Sequence, residues 1–111
     1  MDMVVKRFEI YFVELDPTIG SEINKTRPCV IVSPDDMNRA LHTVIIAPLT
    51  STIRNYPTRV DCIVTKRKGQ IALDQLKTID KSRLRNKIGL LNSATQHSVL
   101  ETLIEMFKPD L

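Results

Sequence analysis

The chain has no tryptophan, two cysteines, three glycines and aromatic residues at only 5% of its positions. Each shortage removes a class of function. With so few aromatics, a broad stacking platform for single-stranded nucleic acid is not expected. Cys29 and Cys62 form no C-x-x-C pair and join no Cys/His cluster, which argues against a structural zinc site. Both fall in apolar, β-like runs and are expected as small buried residues. His42 and His97 belong to no ligand-spaced motif, so no metal is expected. No G-x-S-x-G elbow, P-loop or dinucleotide fingerprint is present, and no cofactor is expected either. Apolar runs reach only four residues, as at Val44–Ala47, whereas a membrane-spanning helix needs about 20. The stretch Met1–Glu9 is charged and lacks the apolar core of a leader, which makes the cytoplasm the expected compartment.

What remains is ordinary for a globular protein: 111 residues, 42% hydrophobic and 26% charged. That length fits one domain over residues 1–111 with one core. Sixteen Lys and Arg against 13 Asp and Glu leave a formal charge of +3, a mild excess that permits a polyanionic partner.

The hydrophobic pattern is mostly of period two. Phe8, Ile10 and Phe12 alternate with Glu9, Tyr11 and Val13, which predicts a strand with one core face. Thr18–Thr26 is polar and aperiodic, a long loop of the kind that often carries function. Cys29–Val32 reads as a central strand, with Pro28 at its start because proline has no N–H for the ladder. Ser33 is expected to cap a short helix, with Pro34 in its first position and Asp35 and Asp36 at the positive end of its dipole. Thr43–Leu49 predicts a strand broken by Pro48. Thr50–Thr58 reads as a second loop, Val60–Val64 as a strand and Thr65–Gly69 as a charged turn. In Gln70–Gln75, Ile71 and Leu73 share one face, while Gln70, Ala72 and Asp74 share the other. Leu84–Leu91 is ambiguous. Ser93-Ala94-Thr95-Gln96 has the form of a capping box. It opens a helix whose stripe is Val99, Leu100, Leu103, Ile104 and Phe107, expected as core or dimer contact. Five to seven strands followed by a terminal helix predict a small, bent antiparallel sheet or barrel.

Polar residues collect where strands meet loops. Glu22, Lys25, Thr26 and Arg27 precede one strand; Thr50, Ser51 and Thr52 follow another; Asp74 and Gln75 lie on the polar side of a third. If those strands are neighbours, a guanidinium, hydroxyls and a carboxylate share one groove. Such a set suits phosphodiester chemistry without metal. Arg presents a planar fork to two phosphate oxygens, hydroxyls add oriented donors, and a carboxylate can deprotonate an attacking hydroxyl. A salt bridge at the sheet edge is the alternative role for Arg27. Lys66, Arg67 and Lys68, near Arg54 and Arg59 in sequence, read either as a solvated hairpin tip or as a basic rim for RNA or an acidic partner.

One set of segments narrows this. Gly20–Ser33 (GSEINKTRPCVIVS) followed by Asn38-Arg39, together with Phe8–Pro17 (FEIYFVELDP), Val44–Ser51 (VIIAPLTS) and Asp74–Leu84 (DQLKTIDKSRL), resembles in order the signature segments of the MazF/PemK family. These are the toxins of type II toxin–antitoxin modules. The resemblance covers almost the whole chain. It implies a small β-barrel, SH3-like or CcdB-like, mainly β with short helices and a C-terminal helix, working as a homodimer. It also implies metal-independent, sequence-specific endoribonuclease activity on single-stranded RNA such as mRNA. In that reaction the 2′-hydroxyl attacks the adjacent phosphate and leaves a 2′,3′-cyclic phosphate and a 5′-hydroxyl. Carried over by position, Arg27 is the principal catalytic residue and Thr50 the catalytic hydroxyl. Glu22, Lys25, Ser51, Asp74 and Gln75 become RNA-binding or orienting residues. The expected partners are the RNA and a cognate antitoxin with an acidic C-terminal segment, with no role for a membrane.

The chain departs from the PemK/Kid branch in two places. That branch has an Arg-x-Asp-Gln arrangement, and here the matching run is Ala72-Leu73-Asp74-Gln75. The branch's loop histidine corresponds to Ser21. Its two-residue acid–base scheme therefore does not transfer whole. The alternative on the same scaffold is a CcdB-like, non-catalytic poison of DNA gyrase, which has no need of an Arg/Thr phosphate site.

Overall fold

The computed structural model describes residues 4–15 and 26–111. Within them the alternating runs become strands β1 (Glu9–Glu14), β2 (Thr26–Ile31), β3 (Thr43–Thr50), β4 (Arg59–Val64), β5 (Arg67–Ala72), β6 (Lys77–Asp80) and β7 (Leu84–Leu90). The ambiguous segment is thus a strand. Helix α1 (Asp35–Ala40) follows β2, α2 (Ser93–Phe107) follows β7, and 3-10 turns at Leu73–Gln75 and Lys81–Arg83 flank β6. All pairings are antiparallel, in the order β4-β5-β3-β2-β1-β7, with β6 also on β3. The sheet curls into a half-barrel with α2 lying beside β4. No helix of the described residues is long and apolar enough to cross a membrane.

Strand β3 gives the sheet its curl. Thr43–Ile46 pair with β6, Ile46–Pro48 with β2, and Leu49–Thr50 with β5. Pro48 does not break this strand, as its sequence predicted; it sits within it, opposite Cys29, where β3 changes neighbours from β6 to β5. A residue without an N–H is tolerated at such a switch because no continuous ladder runs past it on both edges. Pro28 likewise lies inside β2, two residues from its start, but pairing with β3 begins only at Cys29, so one edge is open there.

The central strands are buried on both faces. One face holds Ile10, Val30, Ala47, Leu49, Ile71 and Leu73, covered by Val60 and Cys62 of β4 and Val99 of α2. The other holds Tyr11, Val13, Cys29, Ile31, Val44 and Ile46, closed by Ile79 and Leu84. The single core face predicted for β1 is therefore corrected: Tyr11 and Val13 are buried too, and Phe12 is the member left partly open. Ile31 and Ile46 are fully enclosed, and truncating either to Ala costs about 2–5 kcal/mol. Both cysteines are free and buried, as their apolar runs predicted.

Local signals shifted by a residue or two. Pro34, not Ser33, is the residue before α1. The Ser33 hydroxyl instead bonds Asn38 and accepts from the Ile45 N–H at 3.0 Å, tying α1 to β3. Asn92 caps α2, accepting from the Thr95 N–H at 2.8 Å, so Ser93 is already helical. The α2 stripe is narrower than predicted: Val99, Leu100, Leu103 and Met106 face the core, whereas Ile104 and Phe107 are exposed. The charged turn shrinks to Thr65-Lys66, because Arg67 already belongs to β5. Strand β5 ends at Ala72, so Asp74 and Gln75 stand in a 3-10 turn, and Gln70 and Ala72, predicted on a polar face, are buried.

Candidate active site

The β2–β3 register ends at Cys29 opposite Pro48. Arg27 and Thr50 lie two residues beyond that pair, Arg27 on β2 and Thr50 on β3. They line one cleft of about 740 Å³ together with Ser51 and Thr52. Phe12, Pro28, Leu49, Val64 and Ile88 supply apolar walls, and Arg67 and Lys68 add two more cations. Among the described residues no Asp or Glu lines this cleft. A groove with three cations, four hydroxyls (Thr65 is the fourth) and apolar walls can hold an anion carrying flat apolar groups.

The Thr50 hydroxyl has one partner within its own turn. Thr50 Oγ1 accepts from the Thr52 N–H at 3.1 Å, which leaves its own proton free to donate. Its backbone is held from the other side by β5, where Thr50 is opposite Gln70. A Cβ built at Gly69 would stand 2.8 Å from the Thr50 carbonyl oxygen. Only glycine allows β5 to approach this closely. Cys62 also lines the cleft, but burial pushes its thiol up to about 11, with the Asp61 carboxylate adding to the effect. It is protonated at neutral pH and serves as an apolar wall. The rim ends in a two-residue hairpin turn, Thr65-Lys66, with φ of 49° and 67°. Both positive φ values match the type I′ turn that a twisted hairpin favours, although a β-branched Thr is uncommon there.

Asp74 and Gln75 are elsewhere. They follow the far end of β5 and do not line the cleft. The Asp74 carboxylate accepts from Arg59 Nε at 2.7 Å and Nη2 at 3.3 Å, and from the Thr58 hydroxyl at 3.0 Å. The Arg59 guanidinium holds the Asp74 carboxyl below the ordinary carboxylate range. The Arg59 side chain is only 7% exposed and lies under the Tyr56 ring, 5.1 Å from its centroid. Its backbone is opposite Ala72, the position of the PemK/Kid arginine. The groove expected to unite Arg27, Thr50, Ser51 and Asp74 therefore unites only the first three. Glu22, Lys25 and Ser21 lie outside the described residues.

Sequence reasoning gave no site role to Gly69 or Gln70 and read Arg59 with a possible basic rim, not as the partner of Asp74. A glycine inside an alternating run is a signal of close backbone approach, so Gly69 was findable. Arg59 was not, because its partner is 15 positions away and no local period links them.

The fold and cleft define a small half-barrel protein with a basic, hydroxyl-lined cleft. Residues 6–107 match the family described as PemK-like, MazF-like toxin of type II toxin-antitoxin system, and the chain belongs to that family. Endoribonuclease EndoA of Bacillus subtilis (strain 168) is 40% identical over 108 residues, covering 91% of this chain and 92% of that protein. Endoribonuclease MazF of Staphylococcus saprophyticus is 34% identical over 102 residues, covering 86% and 85%. Among solved structures, an endoribonuclease in complex with its cognate antitoxin from a mycobacterial species superposes with a TM-score of 0.79 at 25% identity, covering 96% of this chain and 99% of that one.

Proposed function

We propose that this protein is the toxin of a type II toxin–antitoxin module and cleaves single-stranded RNA without a metal ion. The observation that carries the reading is the convergence of Arg27, Thr50 and Ser51 on one cleft that no described carboxylate lines, in a family whose relatives are named endoribonucleases. The gyrase-poison alternative is not favoured by those relatives.

The substrate's 2′-oxygen attacks the adjacent phosphorus and gives up its proton. The bond from phosphorus to the 5′-oxygen breaks, and that oxygen takes up a proton. The products are a 2′,3′-cyclic phosphate and a 5′-hydroxyl. Charge builds on the non-bridging oxygens as the phosphorus becomes five-coordinate. Arg27 meets that charge with two N–H groups, and the Thr50 proton binds one oxygen; both act most strongly where charge develops. Arg67 and Lys68 hold flanking phosphates by charge alone. Asp74 holds Arg59 and Thr58, and its lowered pKa makes it a weak base. In this reading the 1–111 chain acts as one domain, pairs as a homodimer and works in the cytoplasm. An antitoxin with an acidic C-terminal segment inhibits it by covering the cationic cleft, since a segment that folds on binding can cover a long groove.

The test is incubation of the purified protein with a long single-stranded RNA in EDTA, beside the same RNA carrying one 2′-deoxy nucleotide at a mapped cleavage site. Cleavage in EDTA that stops at the 2′-deoxy position is expected. Activity that needs added magnesium, or that cuts the deoxy site, overturns the reading.

A further inference from the structure

Gln70 is a buried side chain that reaches from the sheet into the loop leaving the cleft. It is 5% exposed and sits on β5 opposite Thr50. Its Oε1 accepts from the Arg54 N–H at 3.0 Å, and its Nε2 donates to the Arg54 carbonyl at 3.1 Å. One side-chain amide thus holds both backbone groups of a single loop residue, as a neighbouring strand would. The amide cannot be turned over without loss, because Nε2 also donates to Asp61 Oδ1 at 2.9 Å. Asp61 is its cross-strand partner, and a carboxylate accepts only from the NH₂ side. The loop so held runs from Ser51 to Thr58 with no strand or helix of its own. Its far end is fixed by Thr58 and Tyr56 through Asp74 and Arg59. Between these anchors Ile53 and Tyr56 stay 57% and 50% exposed, open to a ligand that lies along the loop.

We propose that Gln70 is a positioning residue: its latch on Arg54 presets the loop that meets the bases beside the scissile phosphate, and so sets which RNA sequence is cut. This rests on the endoribonuclease reading. Fixing the loop in advance removes the ordering cost from RNA binding, and it presents Ile53 and Tyr56 in one geometry rather than many. Exposed apolar and aromatic side chains take base faces by stacking.

The test compares the parent with Gln70→Leu, which keeps the bulk and removes all three bonds, and Asp61→Ala, which keeps Gln70 and frees its amide to turn. Hydrogen exchange at the Arg54 amide reads the latch. The relative cleavage rates at many sites in one long RNA, in EDTA, read the specificity. In Gln70→Leu, Arg54 exchange should speed up about tenfold and the ratio of best to second-best sites should shift about tenfold, as expected for a lost hydrogen-bonded anchor. Asp61→Ala should move both in the same direction by less. A general loss of rate with unchanged site ratios is a merely structural effect and overturns the proposal, as does unchanged Arg54 exchange. If Gln70→Leu does not fold, Asp61→Ala decides by the same two readings. A parent that cuts no RNA overturns the endoribonuclease reading and the specificity role with it; a parent that cuts, beside variants with unchanged site ratios, overturns the latch alone.

Discussion

The two ends of β5 carry the same kinds of side chain and use them in opposite ways. At its start, Arg67, Lys68 and Gly69 join Arg27 and Thr50 in a cleft lined by no described carboxylate. Just past its end, Arg59 and Asp74 neutralise each other, with Thr58 and Tyr56 closing around them. A cation whose neighbours leave it uncompensated has interaction energy available to a ligand. A cation already paired in a partly buried site has given that energy to the fold. In the proposed function the first end carries the chemistry and the second anchors the loop, although the residue types alone qualify both.

The sharpest break in this comparison is Arg27→Lys. An ammonium keeps the charge but not the two-pronged donor geometry, so cleavage should fall by about 10²–10³, the loss typical of one preorganised donor to a charged transition state. Arg27 is exposed, so the melting temperature should stay with the parent; RNA-cleavage time courses and melts check both. Thr50→Val keeps the strand and removes one neutral donor, for which about tenfold in rate is expected, again by time course. Gly69→Ala forces a Cβ against the Thr50 carbonyl, for which overpacking of about 1–3 kcal/mol is expected. Denaturant melts should show that cost, and the rate should fall with it because Thr50 moves.

The smallest effect concerns pH. Burial alone would raise the Glu9 pKa, but Lys87, the Lys6 N–H and the Tyr11 hydroxyl outweigh it, and the pKa is lowered from its usual 4.5. A lowered carboxylate stabilises the fold above its unfolded pKa, and that contribution is lost as pH falls through the folded value. Asp74 and Asp80 act with the same sign, through Arg59 and the Ser82 N–H. Melting temperature should therefore fall as pH drops below about 4.5. Glu9→Gln should be the less stable protein at neutral pH and should converge on the parent at low pH. A gap that persists in acid would contradict the assignment.

Much of the half-barrel was legible from period-two alternation, and the burial of Cys29 and Cys62 followed from the apolar runs around them. Legibility failed where a pattern cannot report its neighbours. Tyr11 and Val13 looked like the outer face of β1 because alternation shows two faces but not that both are covered. Pro48 read as a break because the sequence does not reveal that β3 changes partners there. The cap signal at Ser93 was misplaced by one residue, since Asn92 beside it competes for the same N–H groups, and the one at Ser33 failed because that hydroxyl ties α1 to β3 and caps nothing. In the site, Arg27 and Thr50 were legible through the family segments that carry them. Asp74 was misread as part of the groove, because its pairing with Arg59 crosses two strands and leaves no trace in local spacing.

The central claim is that phosphodiester chemistry belongs to the Arg27–Thr50 end of the sheet and not to Asp74. The most direct measurement is one RNA-cleavage assay in EDTA on the parent, Arg27→Ala and Asp74→Asn, with a melt of each protein. Arg27→Ala should melt with the parent and cut about 10²–10³ more slowly. Asp74→Asn should melt a few degrees lower, having lost the charge that holds Arg59, and cut within a few-fold of the parent. An Asp74→Asn protein that is folded yet inactive, beside an Arg27→Ala protein that still cuts, would contradict the account.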